Sequence, residues 1–166
     1  MGFKERTTKP EKGNKYYITK ESGGYSPCIK GKMKSTGKPD SDCDTLPNCV
    51  GYAWGRFHEI GEDKDFTYWC HGNAEDIFIK ANKKLERSDK PKLGALMCFK
   101  SGNTETSGDG AGHILVVEKV INNDEIILSD SGYNTNDPFR YTQRKRGSGN
   151  WGLSSKYQFQ GFIYNP

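Results

Sequence analysis

Apolar residues recur at helical spacing just after the residue pair Pro47-Asn48. Five of them fall on one stripe of a helix: Val50, Ala53, Trp54, Phe57 and Ile60. Such a stripe is typical of an amphipathic helix with one face in the core. Asn48 is a suitable N-cap, and Gly61 can take the left-handed position after the last turn. The pattern predicts a helix from about Cys49 to Ile60.

A second helix is predicted to begin at Asn73 and to extend over 73–86. This segment has an amide N-cap, acidic residues in its first turn and lysines in its last. That distribution complements the helix dipole. Its apolar positions are Ile77, Phe78, Ala81 and Leu85.

Strand signals dominate the chain after Pro91. Apolar residues concentrate in four segments: 93–100, 113–120, 125–130 and 157–164. Such runs, bounded by polar and glycine-rich stretches, are typical of strands. Helices followed by strands predict an α+β fold with an antiparallel sheet.

The polar, lysine-rich segment 1–14 has no apolar periodicity and is predicted to be a flexible tail or linker. Residues 15–166 then form one domain, which is the number that a chain of 166 residues accommodates comfortably. The glycine- and proline-containing segment 20–42 is predicted to be a long ordered loop, a feature that is often functional.

The formal net charge of +4 is too modest to indicate nucleic-acid binding, although it favours a polyanionic surface such as a cell wall bearing teichoic acid. The clearest basic run, 140–147, is interpreted as a solvated loop or strand edge.

The five cysteines form an odd set without a CxxC pair, which argues against a disulfide scaffold. Their spacings match no common zinc site. No signal peptide and no apolar segment of membrane-spanning length is evident, so we expect synthesis in a reducing cytoplasm and no membrane insertion.

Cys49 is a candidate nucleophile because it occupies the first position of the predicted helix. Unpaired backbone N–H groups and the helix dipole favour a thiolate there, which is the reactive form. The alternative is a buried cysteine that only packs. The small neighbours Gly51 and Ala53 favour the reactive interpretation.

His113 is the candidate base, since the glycine-rich segment 108–112 presents it at the first position of a strand. A structural histidine is the competing interpretation. His58 lies nine residues beyond Cys49 on the same helix and is therefore out of reach. His71, in the loop before the second helix, stays open as a rival.

The pairing register of the predicted strands suggests a third site residue, which would act together with Cys49 and His113. A two-residue turn at 122–123 sets residue 113 opposite 132 and 115 opposite 130, so that His113 and Asp130 become diagonal neighbours on one face. A four-residue turn brings Asn134 opposite His113, whereas a three-residue turn sends Asp130 to the other face. Either Asp130 or Asn134 can orient the imidazole; otherwise Asp130 is an ordinary acid at a strand end.

These segments, in order, resemble the CHAP family of cysteine, histidine-dependent amidohydrolases and peptidases, which is common in bacteriophage lysins. The resemblance covers nearly all of 25–165 and rests on NCVGYAWGRF, WCHGNAED, LGALMCF, GHILVVEKV, IILSDSGYN and QGFIY. It implies a papain-like α+β fold with helices packed on about six antiparallel strands. It also implies cleavage of an amide bond in bacterial peptidoglycan.

The resemblance assigns Cys49 as nucleophile, His113 as general base and Asp130 as the acidic third member. Many relatives have Glu in place of Asp130 and an Asn shortly after it, but Asn134 lies further along. Papain-like enzymes place a Gln six positions before the nucleophile, and that position is Cys43 here. The oxyanion donors are therefore expected to be the Cys49 backbone N–H and an unidentified side chain. No cofactor is required for this chemistry.

Three aspartates alternate just before the nucleophile: Asp40, Asp42 and Asp44. This is the spacing of the first half of an EF-hand, although the rest of that motif is missing. Some phage lysins of this family bind calcium in this region. The expectation is a structural calcium site; the alternative is a solvated acidic turn that balances nearby lysines.

Trp69, Tyr133 and Trp151 are predicted to line a substrate groove.

We therefore expect a hydrolase of Gram-positive peptidoglycan, either a phage endolysin or a tail-associated lysin. It would be made in the host cytoplasm, act at the wall after release by a holin or delivery on the virion tail, and work with a wall-binding domain or the tail. The bond cut is the N-acetylmuramoyl–L-alanine amide or a peptide bond. The rival is an inactive wall-binding or virion module; a cytosolic papain-like protease or deubiquitinase is disfavoured.

Overall fold

The described part of the computed structural model contains two helices packed against a six-stranded sheet. It comprises residues 2–11, 14, 16–17, 46, 48–61, 73–101, 111–132 and 138–166. The helices are α1 (Cys49–Ile60) and α2 (Ala74–Lys80). The strands are β1 (Arg87–Ser88), β2 (Leu96–Ser101), β3 (His113–Asn122), β4 (Glu125–Ser131), β5 (Phe139–Lys145) and β6 (Tyr157–Ile163). Within these ranges, no helix has the length and apolarity needed to cross a membrane.

The strands follow the order β1-β6-β2-β3-β4-β5, and every neighbouring pair is antiparallel. The predicted α+β class and the antiparallel sheet are confirmed. All four strand segments predicted after Pro91 contain a strand, with bounds that differ by a few residues. The basic run 140–147 is predicted to be a solvated loop or strand edge, and most of it belongs to β5, which is an edge strand of the sheet.

Helix α1 has the bounds that its apolar stripe predicts. The Asn48 side chain accepts a hydrogen bond from the Gly51 N–H at 3.0 Å, which confirms the N-cap. Gly61 has φ −79°, so the prediction that it adopts the left-handed conformation is wrong. Its N–H instead donates to the Phe57 carbonyl at 3.1 Å and closes the last turn in an ordinary conformation.

Helix α2 ends earlier than predicted. Asn73 caps it, and the Asn73 N–H donates to the Asp76 side chain at 2.9 Å. The backbone then turns extended at Ala81, with ψ 153°. The Arg87 guanidinium donates to the carbonyls of Phe78 and Ala81, both at 2.7 Å, and so satisfies groups left over at the helix end.

The sheet separates two apolar clusters. Alternate residues of β2 and β3 face the helices, among them Leu96, Cys98, Ile114 and Val116. The intervening residues face the other side, where Met97, Phe99, Leu115 and Val117 pack with Trp151. This alternation follows from the two-residue period of a strand.

The amino-terminal segment packs on the domain, so its prediction as a flexible tail is wrong. The Arg6 Nε donates to Glu59 at 3.0 Å, and its backbone N–H donates to Glu118 at 2.9 Å. The Lys4 carbonyl accepts from Arg56 Nη2 at 2.6 Å. Polar composition suggested a tail, but these polar groups pair with charges on α1 and β3.

Candidate active site

His113 is fixed in position by Gly112, the residue that precedes it. Gly112 has φ +68°, and a Cβ on it would lie 2.3 Å from the Phe99 carbonyl oxygen. Its N–H donates to Ser101 Oγ at 2.9 Å. Only glycine combines this left-handed conformation with so close a backbone approach. The first residue of β3 is thereby held against β2.

Cys49 is the first residue of α1 and is partly exposed. The segment before it is tied to the end of β4, because the Ser131 hydroxyl donates to the Leu46 carbonyl. Ser131 directly follows Asp130. The start of the helix and the acidic residue are therefore held at the same end of the sheet.

The structure brings together three of the predicted site residues. His113 Nε2 lies 2.5 Å from Asp130 Oδ2, and the Cys49 side chain is close enough to the imidazole to raise its pKa. Since Nε2 faces Asp130, Nδ1 is the ring nitrogen left for the thiol. Asp130 itself is buried. The order thiol, imidazole, carboxylate is that of a catalytic triad of the cysteine type.

The strand register places His113 beside Asp130 as predicted, but the turn between β3 and β4 lies at a different position from the predicted one. Asn122 pairs with Glu125, so the turn lies at 123–124 and not at 122–123. Two register shifts follow along the hairpin, and Val116 then pairs with Ser129. That pairing has the offset predicted from a turn at 122–123. The two irregularities compensate for the displaced turn, and His113 and Asp130 meet as expected.

Electrostatics favour a charged pair of His113 and Asp130. Burial lowers the pKa of His113, but hydrogen bonds to Asp130 and Cys49 outweigh that effect and raise it to about 10. Burial raises the pKa of Asp130, whereas hydrogen bonds from His113 and Arg140 bring it below its usual value. At neutral pH the pair is an imidazolium beside a carboxylate.

Arg140 is a site residue that the sequence analysis missed. Its Nε donates to Asp130 Oδ1 at 3.1 Å and its Nη2 to Oδ2 at 2.5 Å, a two-pronged ion pair. Asp130 and Arg140 are direct cross-strand partners on β4 and β5. The basic run 140–147 was the available signal, but only the pairing of β5 with β4 shows which of its residues reaches the site.

A cleft of about 240 Å³ opens beside His113. Its walls include Asp130, Arg140, Arg144 and Tyr157, and the Tyr157 ring lies 5.9 Å from the imidazole. A larger cavity of about 590 Å³ lies between residues 2–8 and the end of α1. None of Cys49, His113 and Asp130 lines that larger cavity, whereas His113 and Asp130 line the smaller cleft.

Other predicted site residues fall elsewhere. Trp151 is fully buried and packs edge-on against Phe162, so its assignment to a substrate groove is wrong. Its flanking glycines suggested exposure, but the turn they form, with φ 52° at Trp151, directs the ring into the core. His58 lies on α1 against Trp54, as the helical spacing predicts.

Several predictions lie outside the described residues, namely those for Asp40, Asp42, Asp44, Trp69, His71, Tyr133 and Asn134. In the part of the chain that is described, no group of three or more His, Cys, Asp or Glu side chains is arranged to hold a metal ion.

A cysteine at the start of a helix, beside a histidine and an acid from an antiparallel sheet, defines the papain-like class of α+β domains. The family model of the CHAP domain matches residues 39–132, which is more than half of the chain. The protein therefore belongs to the CHAP family. Membership indicates a peptidoglycan hydrolase-type amidase or peptidase. No curated protein matches this sequence.

Proposed function

We propose that this protein hydrolyses an amide bond of bacterial peptidoglycan with Cys49 as nucleophile, His113 as general acid and base, and Asp130 as the residue that orients His113. The observation that carries the proposal is one imidazole that lies 2.5 Å from the buried carboxylate of Asp130 and has its pKa raised by the neighbouring Cys49. Family membership supplies the type of substrate.

The chemistry follows from the charges. His113 holds the proton of the Cys49 thiol, and the thiolate attacks the amide carbonyl carbon to form a C–S bond. The C–N bond then breaks as the imidazolium gives its proton to the departing amine. Water, deprotonated by the neutral imidazole, attacks the thioester, releases the acid product and regenerates the thiol.

The helix start supplies an oxyanion donor in this scheme. The Asn48 side chain accepts from the Gly51 N–H. The Cys49 N–H is not engaged by that cap, and it is the expected donor to the developing oxyanion. The second donor is unassigned.

The wall of a Gram-positive cell is the proposed target, and the positive net charge of +4 supports attraction to its polyanions. A bacteriophage lysin, either an endolysin or a tail-associated enzyme, is the proposed biological setting. The structural calcium at Asp40, Asp42 and Asp44 stays a prediction.

The test is lysis of purified Gram-positive walls by wild type, Cys49→Ala and Cys98→Ala. We expect Cys49→Ala to lose at least about 10³-fold in rate while it keeps the wild-type circular dichroism spectrum. Cys98→Ala, which removes a buried thiol outside the site, should retain lysis. Unchanged lysis by Cys49→Ala would contradict the proposal.

The released fragments identify the bond. Mass spectrometry should find a new amino terminus on alanine if the muramoyl amide is cut. A new terminus on glycine or on another stem residue would indicate an endopeptidase.

A further inference from the structure

A second guanidinium lies in the cleft beside the triad. On β5, Arg140 pairs with Asp130, and Arg144 pairs with Ile126. Residues four apart on a strand face the same side of the sheet. Arg144 accordingly lines the same cleft as His113 and Arg140.

Arg144 differs from Arg140 in its partners. Arg140 is neutralised by Asp130, whereas the contact found for Arg144 is a hydrogen bond from Nη1 to the Gly152 carbonyl at 3.2 Å. No carboxylate in the described part of the chain forms an ion pair with Arg144, and its buried Nε has no acceptor there. A neutral carbonyl does not balance a guanidinium charge.

The described residues around the cleft carry an excess of positive charge. The cations are the His113 imidazolium, Arg140 and Arg144, and the anion is Asp130. A small concave site with unbalanced positive charge concentrates anionic ligands. With a volume of about 240 Å³, the cleft fits one residue of a substrate peptide rather than a polymer.

We propose that Arg144 binds a free carboxylate of the peptide stem and so selects substrates that carry this group near the scissile amide. The proposal rests on the proposed function and names the substrate group that the site recognises. A guanidinium can donate two parallel hydrogen bonds to a carboxylate in a planar, bidentate geometry. A lysine ammonium does not reproduce this geometry. Peptidoglycan stems present carboxylates on acidic residues and at their ends, and amidation of these groups removes the charge.

The test measures binding to Cys49→Ala, which lacks the thiol and does not turn the ligand over. The ligands are a synthetic stem peptide with free carboxylates and the same peptide with its carboxylates amidated. We expect the free peptide to bind about 10–100-fold more tightly, as a charged hydrogen-bonded pair provides. Adding Arg144→Gln should abolish this preference, and Arg144→Lys should leave part of it.

Lys145→Gln in the same background is the matched control. It removes the same charge from the next residue of β5, whose side chain is 77% exposed. The preference should survive in this variant. Equal binding of the two peptides to Cys49→Ala, or loss of preference in the Lys145 variant as well, would overturn the proposal.

Binding of poly(glycerol phosphate) that depends on Arg144 and excludes the peptide would also overturn it, in favour of a phosphate site. Because no step of this assay requires catalysis, its outcome is separate from that of wall lysis by wild type. Failure of lysis with intact carboxylate preference would count against the proposed hydrolysis alone.

Discussion

Asp130 is the residue on which two cations converge. His113 approaches Oδ2, and Arg140 spans both carboxylate oxygens. The carboxylate orients the imidazole and keeps it protonated, while Arg140 keeps the carboxylate ionised. Arg140 is therefore expected to act on the imidazole through Asp130.

Asp130→Asn should shift the pH profile of hydrolysis. Asp130 and Cys49 together raise the pKa of His113 to about 10, so replacement of the carboxylate lowers that pKa. The imidazolium must protonate the leaving amine, and activity is lost as pH rises through its pKa. The descending limb should move to lower pH, with kcat/KM reduced roughly 10²–10⁴-fold.

Asp124→Asn is the control for this prediction, because Asp124 lies in the exposed turn between β3 and β4 and is not part of the site. It should leave the profile of kcat/KM against pH unchanged. A descending limb that stays in place in Asp130→Asn would show that Asp130 does not set the His113 pKa.

Local signals sufficed for some residues and not for others. A helix start identified Cys49, and a glycine-rich loop before a strand identified His113. Arg140 was not predicted as a site residue, because its role depends on which strand β5 pairs with. Trp151 was misplaced because glycines on either side indicate a turn but do not tell which way the turn directs the ring.

At the level of elements, a buried polar network joins α1 to the sheet. Arg56 donates to both oxygens of Glu118, at 2.8 and 2.6 Å. Ser129 Oγ donates to Glu118 at 2.6 Å and accepts from the Tyr52 hydroxyl at the same distance. The network fixes the helix that carries Cys49 relative to β3 and β4, which carry its partners.

Glu118→Gln should be strongly destabilising. It leaves Arg56 buried with less compensating charge, and breaking a buried ion pair costs about 3–5 kcal/mol. Urea unfolding provides the measurement. Lys119→Gln changes the exposed neighbour on the same strand and should alter the free energy of unfolding by less than about 0.5 kcal/mol. Similar losses in both variants would argue against the network.

Gly112→Ala should displace His113. The added Cβ would collide with the Phe99 carbonyl oxygen, in a conformation that L residues already disfavour. Gly147 also has positive φ, +55°, but has no atom within 4 Å of the added Cβ. We expect Gly147→Ala to cost about 1–2 kcal/mol with activity retained. Gly112→Ala should lose more stability and most hydrolysis; equal behaviour of the two would contradict the positioning role.

Element bounds were predictable where their cause is local. An N-cap and an apolar stripe set the limits of α1. The end of α2 depends on Arg87, which lies beyond the helix and donates hydrogen bonds to carbonyls at its carboxyl end. The hairpin register depends on two irregularities that no pattern of apolar residues reveals.

On the scale of the whole molecule, the amino-terminal segment is part of the domain. Arg6 forms an ion pair with Glu59, and Glu59 also accepts hydrogen bonds from Tyr17 and Arg56. Composition predicted a tail because most of its side chains are polar. The partners that order the segment lie more than 50 residues away, where composition carries no information about them.

Arg6→Met should lower the free energy of unfolding by about 1–3 kcal/mol, since charged hydrogen bonds to Glu59 are lost. Lys9→Met removes the same charge from an exposed position of the same segment and should be nearly neutral. Chemical denaturation of the two variants measures the difference. Identical stabilities would restore the interpretation of the segment as a tail.

The general architecture followed from the order of signals along the chain, because helices before strands leave few arrangements other than α+β. The resemblance to the CHAP family added the number of strands. The sheet order and the cleft beside His113 required three-dimensional pairing of segments distant in the chain.

The most direct test of the account is the rate at which Cys49 is alkylated by iodoacetamide at mildly acidic pH, followed by mass spectrometry of each cysteine peptide. With His113 protonated beside it, Cys49 should react well ahead of the other four cysteines, and His113→Gln should remove that advantage. Equal reactivity of all five thiols, or a Cys49 rate that does not change in His113→Gln, would contradict the thiolate and imidazolium pair.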